Sequence, residues 1–267
     1  MNKLNDWTKG ALLGKVKSSH AEIATLSNNA GQWIEESRVP IMTITYNEEG
    51  DVVKEVLYAL DGNVSQVGFT KYDTDGNRTE VVFHNPNGGL VSSLVCDYDD
   101  NGKEVGSVYT SAQGLITKQK SVPVYDQTGN KAEESWFYED GTRSRKYIYK
   151  YDPDGRLLEQ LIHKYADDGS LEEERISLYS EKGNIVETFC LDADGQLLEG
   201  QTKYEYDEQG NETEVASYNP NGDLYSTTSY SYTFDSSGNW IKRTENFKTK
   251  LSGFETKSIT YRTLTYY

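Results

Sequence analysis

Arg145-Lys146-Tyr147-Ile148-Tyr149-Lys150-Tyr151-Asp152-Pro153-Asp154-Gly155 is the stretch that decides how this chain folds. Its first residues alternate, with Tyr147, Tyr149 and Tyr151 on one face and Lys146, Ile148 and Lys150 on the other, which is the period of a strand. The chain then has to reverse. Asp152 offers a side-chain acceptor to its own backbone, Pro153 presets φ near about −65°, and Gly155 takes a positive φ at little cost. The segment reads as a strand entering the type I turn of a β-hairpin, with the glycine forming a bulge.

Working outward, the same frame recurs along most of the chain. An aromatic residue stands four positions before a glycine at Tyr46, Tyr72, Tyr98, Tyr125, Tyr151, Tyr179, Tyr206 and Phe234, and successive glycines, from Gly50 to Gly238, lie 26 to 28 residues apart. A looser second turn falls between them at Gly62, Gly88, Gly114, Gly141, Gly169, Gly195 and Gly222. Asn85-Pro86-Asn87-Gly88 and Asn219-Pro220-Asn221-Gly222 repeat the Asx-Pro chemistry, and Asp61-Gly62, Asp75-Gly76 and Asn101-Gly102 are hairpin signals in their own right. Between turns the alternation returns: Thr228, Tyr230, Tyr232 and Phe234 oppose Thr227, Ser229, Ser231 and Thr233. Two residues after the second glycine an apolar side chain stands at Val64, Leu90, Ile116, Leu171, Leu197 and Leu224, with Arg143 the exception.

The count of turns gives about 18 antiparallel strands at roughly 4.8 Å each, more than an open sheet carries without curling. The expected fold class is therefore all-β, an antiparallel β-hairpin repeat array forming a curled or spiralling sheet. Tyrosine suits its inner face, since the ring packs while the hydroxyl reaches water in a thin interior. Residues 1–40 lack the turn frame and are expected to form an N-terminal cap, with strands near Gly14 to Thr25 and Ser37 to Thr45 and a short helix near the start. The repeats occupy 41–238, and 239–267 read as a C-terminal capping hairpin.

Composition narrows the function. The chain of 267 residues carries 27 Lys and Arg against 43 Asp and Glu, a net charge of −16, which argues against binding a nucleic-acid backbone. Only 35% of residues are hydrophobic, so a thick, dry core is not expected. No apolar run is long enough for a membrane-spanning helix, and Ala11-Leu12-Leu13 is too short for the centre of a signal peptide. As numbered, the chain reads as cytoplasmic, or as exported if a leader has been removed. Cys96 and Cys190 lie 94 residues apart and read as two buried or half-buried thiols, with a long-loop disulfide as the alternative.

Tyr72-Asp73-Thr74-Asp75-Gly76-Asn77, Tyr125-Asp126-Gln127-Thr128-Gly129-Asn130 and Tyr206-Asp207-Glu208-Gln209-Gly210-Asn211 share a Tyr-Asp-x-x-Gly-Asn pattern, and in this the chain resembles the YD-repeat proteins of RHS type. The resemblance covers roughly residues 41 to 240 of the repeat array. It implies bacterial origin and spiralling β-hairpin ribbons, which in large family members wrap into hollow shells around a toxin segment. Seven periods are too few to close such a shell.

The Asp-rich turns do not make an EF-hand, since its first ligand position falls on Lys71 or Lys150, and the start that fits, at Asp97, places Val108 at position 12. His20, His84 and His163 sit in unrelated segments with no nucleophile paired by spacing. Glu80, Glu133, Glu159, Glu187 and Glu214 recur four positions after the first-turn glycine, as a solvated sheet face would. The sequence thus predicts a non-enzymatic protein with no cofactor and no metal. The leading expectation is a repeat scaffold or protein-binding module of RHS/YD type, using an acidic surface for a basic protein partner. The alternative is a carbohydrate-binding protein holding a glycan. Under either reading the contact residues are Tyr147, Tyr149, Tyr151, Tyr230, Tyr232, Trp136 and Trp240.

Overall fold

A computed structural model of the chain describes residues 5–9 and 11–267; the first four residues of the expected N-terminal cap, and residue 10, lie outside the described residues. The repeat frame forms the turn that its chemistry dictates. In the hairpin at Gly76, the Asp73 amide donates to the Asn77 carbonyl at 2.9 Å and the Gly76 amide to the Asp73 carbonyl at 3.1 Å. The Asp73 carboxylate accepts from the amides of Asp75 at 3.0 Å and Asn77 at 2.7 Å. Gly76 has φ +76°, and the other turn glycines of the array are likewise left-handed. The turn aspartates are therefore occupied by backbone donors. One residue beyond each of most turns is then left out of the ladder: Lys71 pairs with Glu80 and Tyr72 with Arg78, so Thr79 bulges. The same slip follows Gly50, Gly62, Gly88, Gly155 and Gly210. Each bulge adds local twist, which bends the sheet.

After a one-turn helix, α1 (Asp6–Lys9), come β1 (Val16–Asn29), β2 (Gln32–Glu35), β3 (Val39–Tyr46), β4 (Val52–Tyr58), β5 (Val64–Tyr72), β6 (Arg78–His84), β7 (Leu90–Tyr98), β8 (Glu104–Ser111) and β9 (Ile116–Tyr125). The second half holds β10 (Lys131–Tyr138), β11 (Arg143–Tyr151), β12 (Leu157–Tyr165), β13 (Leu171–Tyr179), β14 (Ile185–Asp192), β15 (Leu197–Tyr206), β16 (Glu212–Tyr218), β17 (Leu224–Phe234), β18 (Trp240–Thr249) and β19 (Glu255–Tyr266). From β3 to β19 each strand pairs antiparallel with the next. β1 then lies between the two ends, pairing with β19 from Val16 to Leu26 and with β3 from Ser18 to Ile23. β2 pairs only with the far end of β1, as a short tongue.

The sheet is thus all-β and antiparallel, as expected, but it does not spiral: β1 and β3–β19 make a closed barrel of 18 strands. The spiral expectation fails at residues 16–29. That segment carries no turn glycine of the repeat, yet it becomes the strand that joins the first repeat to the last. The expected closing hairpin near Gly253 is β18–β19, and its outer edge is covered by β1.

A ring of 18 strands spaced at about 4.8 Å has a radius near 14 Å before tilt, a size whose interior side chains do not fill. The surface area agrees. A compact monomer of this mass exposes about 11,700 Å², whereas this chain exposes 16043 Å², as expected when both faces of the wall are wetted.

Candidate functional site

Register assigns every strand residue to one of two faces, and burial identifies the inner one. Most of the buried strand residues, Ser19, Ala21, Cys96, Ser107, Ser121, Ser177, Cys190, Ser226 and Thr260 among them, fall on the face that carries the tyrosines when the pairings are followed around the ring, against Ala24, Ala216 and Ile259 on the other. On the concave side of a curved wall neighbouring side chains converge, so small residues are buried there first. The tyrosine face is therefore the inside.

The first-turn tyrosines do more than pack. The hydroxyl of Tyr72 donates to the Val52 carbonyl at 2.9 Å, Tyr98 to Arg78 at 3.0 Å, Tyr151 to Lys131 at 3.0 Å, Tyr206 to Ile185 at 2.7 Å and Tyr232 to Glu212 at 2.8 Å. Each acceptor lies two residues after the preceding first-turn glycine, beside the bulge, where the ladder is interrupted. These hydroxyls were expected to reach water; instead each ties one repeat to the one before. Burial pushes the Tyr98, Tyr206 and Tyr232 phenols up to about 12.

All seven aromatic residues singled out in the sequence lie on the inner face, in two groups. On β10 and β11, Tyr147 and Tyr149 stack with centroids 6.5 Å apart at 11°, Tyr151 is held by its bond to Lys131, and Trp136 stands opposite Arg145. On β17 and β18, Tyr232 meets Trp240 at 6.3 Å, and the Arg243 guanidinium lies 5.3 Å from the Tyr230 ring. Arg262 of β19 covers Trp240 at 3.8 Å and donates to its carbonyl at 2.9 Å; burial lowers this guanidinium to about 10. Sequence reading missed the inner-wall cations Arg145, Lys164, Arg175, Arg243 and Arg262. The signal was available for Arg145, which lies two residues before Tyr147 and so shares its face.

The convex wall is charged. Ile148, Leu161, Ile176 and Phe189 form one lateral apolar row. Lys150, Glu159, Leu178, Glu187 and Lys203 border it on one side, and Lys146, His163, Glu174 and Leu191 on the other. Adjacent rows on one face are about 7 Å apart, whereas a lipid-facing band is about 25 Å tall. The inner face, with Glu134, Arg145, Lys164, Glu173 and Arg175, offers no such band either. His163 Nε2 does meet the Glu174 carboxylate, at 2.6 Å, but on this outer wall, with Lys146 opposite. Among the described residues no group of three or more His, Cys, Asp or Glu could hold a metal, and both cysteines are free thiols.

No family model and no curated protein matches the chain. Solved structures do resemble it. A porin-like protein from Bacteroides uniformis is 12% identical with a TM-score of 0.44, over 94% of this chain and 96% of that one. A porin-like protein from Bacteroides vulgatus is 11% identical with a TM-score of 0.33, over 94% and 98%. The Tc holotoxin pore of Photorhabdus luminescens is 13% identical with a TM-score of 0.17, over 88% of this chain and 18% of that one. The YD-repeat assignment is corrected by the fold: the sheet closes on itself through β1 where that reading required a spiral. With it falls the reading as an RHS/YD scaffold presenting an acidic surface to a protein, and the carbohydrate-binding alternative with it. Both read the aromatic residues as part of an exposed surface, whereas closure puts all seven on the inner wall.

Proposed function

We propose that this protein works through its interior, as a porin-like, water-filled barrel that takes in small solutes while standing in water rather than in lipid. The observation that carries this reading is a closed ring of 18 strands with polar residues on both faces and an exposed area of 16043 Å². Trp136, Tyr147, Tyr149, Tyr151, Tyr230, Tyr232 and Trp240 are then solute contacts along the wall, through ring faces that tolerate many partners. The outer wall supports the aqueous setting, because its charged rows would have to be desolvated in a bilayer.

Fluorescence quenching compared between the wild type and Trp136→Phe isolates Trp136. Acrylamide is expected to quench that component, and a quencher attached to a large dextran is expected not to. Protection from acrylamide would refute a wetted interior. Stepwise conductance in a planar bilayer would refute the aqueous setting.

A further inference from the structure

We infer that the inner wall across β11, β12 and β13 is a binding site for a small aromatic oxyanion, a ring carrying a phosphate or carboxylate. The inference rests on the interior being open to solutes and names what that interior holds at one place. In a chain of net charge −16, Arg145 stands directly opposite Lys164 in the register. Like charges directly opposed on a sheet face are destabilising. Carboxylates reach Lys164 from the β13 side, whereas no carboxylate stands opposite Arg145 on the other side of the pair, where its partner is Trp136. Arg175 lies one row away, opposite Ile162. The three cations, with Tyr147, Ile162 and Glu173, line a cavity of about 360 Å³, within the size range of small-ligand sites.

The nearby acids offset this charge only in part. Glu173 stands opposite Lys164 in the register and pairs with Arg175 at 3.2 Å, and Glu172 pairs with Lys164 at 3.0 Å, so two carboxylates face three cations and neither carboxylate pairs with Arg145. Among the described residues Arg145 has no hydrogen bond or ion pair, so its planar fork of donors is free, and such forks suit carboxylate and phosphate oxygens. Tyr147 supplies the ring contact: it lines the same cavity, stacked on Tyr149. An anion seated on Arg145 and Lys164 puts its ring on Tyr147.

The probe is phenyl phosphate, with benzoate, inorganic phosphate and sodium chloride of matched ionic strength as comparisons, read by thermal shift and by titration calorimetry. Phenyl phosphate and benzoate are expected to raise the melting temperature of the wild type above the chloride control. Arg145→Gln and Lys164→Gln are each expected to weaken phenyl phosphate at least tenfold, while Lys150→Gln on the outer wall leaves it unchanged. Without ligand, Arg145→Gln relieves a repulsion, so its urea midpoint is expected not to fall, which shows that lost binding is not lost folding. A wild-type response equalled by chloride, or retained in Arg145→Gln, overturns the site. Inorganic phosphate binding as tightly as phenyl phosphate overturns the aromatic class. Acrylamide access to Trp136 without any anion response sinks the site alone, whereas acrylamide protection sinks the open interior on which it depends.

Discussion

Where β19, β1 and β3 meet, the barrel has a dry core; across β11, β12 and β13 it has none. At the seam Val16 is fully buried and packs with Trp7, Leu12 and Tyr46, against Ile44, Val52 and Leu264. Trp7 donates its indole N–H to the Val16 carbonyl at 2.8 Å, and Asn239 clamps the Leu13 backbone through both ends of its amide, each at 2.8 Å. In β11–β13 the buried side chains are Ser144 and Ser177. The contrast shows how labour is divided. Repeats are held by turn hydrogen bonds and tyrosine ties to their neighbours, as in other repeat arrays, whereas closure depends on apolar packing concentrated at one joint.

The largest expected effect follows at that joint. Trp7→Ala is expected to cost about 3–5 kcal/mol, the usual range for removing a buried Trp. Hydrogen exchange should accelerate first in β1, β3 and β19; loss of protection spread evenly around the ring would break the comparison. A smaller difference separates two turn glycines that share the left-handed conformation. A Cβ on Gly129 meets nothing, while one on Gly50 falls 2.4 Å from the Trp7 ring. Gly129→Ala is expected to cost about 1–2 kcal/mol for the backbone alone, and Gly50→Ala more, in urea melts run side by side. Equal costs would mean that Trp7 yields freely.

The smallest effects belong to the repeats. Tyr98→Phe removes one tie and is expected to cost about 1 kcal/mol. Its pH signature is sharper. Free tyrosine ionises near about 10, while Tyr98, Tyr206 and Tyr232 are held at about 12 in the fold. The folded state keeps these protons longer, so their contribution is complete below pH about 10 and is lost as pH rises towards 12. The urea midpoint should fall across that window, and Phe at all three positions should flatten the fall.

Much of the architecture could be read from residues because it is local. Tyr72 to Asn77 specify their turn with their own side chains, and the alternation from Arg145 to Tyr151 specifies its strand. Closure could not be read this way. It depends on β1 meeting β19 more than two hundred residues later, and Val16, Ser19 and Ala21 carry no mark that they will sit between two ends. Arg145 was legible beside Tyr147, but Lys164 and Arg175 were hidden for a related reason: only pairing across strands puts them on the same face. The tyrosine ties sat halfway, since the residue type was visible but its carbonyl partner in the preceding hairpin was not.

A closed ring of antiparallel strands tolerates only even counts, because an odd member would have to run parallel to a neighbour. One repeat of this chain is one pair of strands. The circumference can therefore be lengthened or shortened by duplicating or losing a whole repeat, about 10 Å at a time, with the joint at β1 untouched. Bore width in such a protein is set by copy number, and relatives differing by one hairpin pair would differ in the girth of what they enclose.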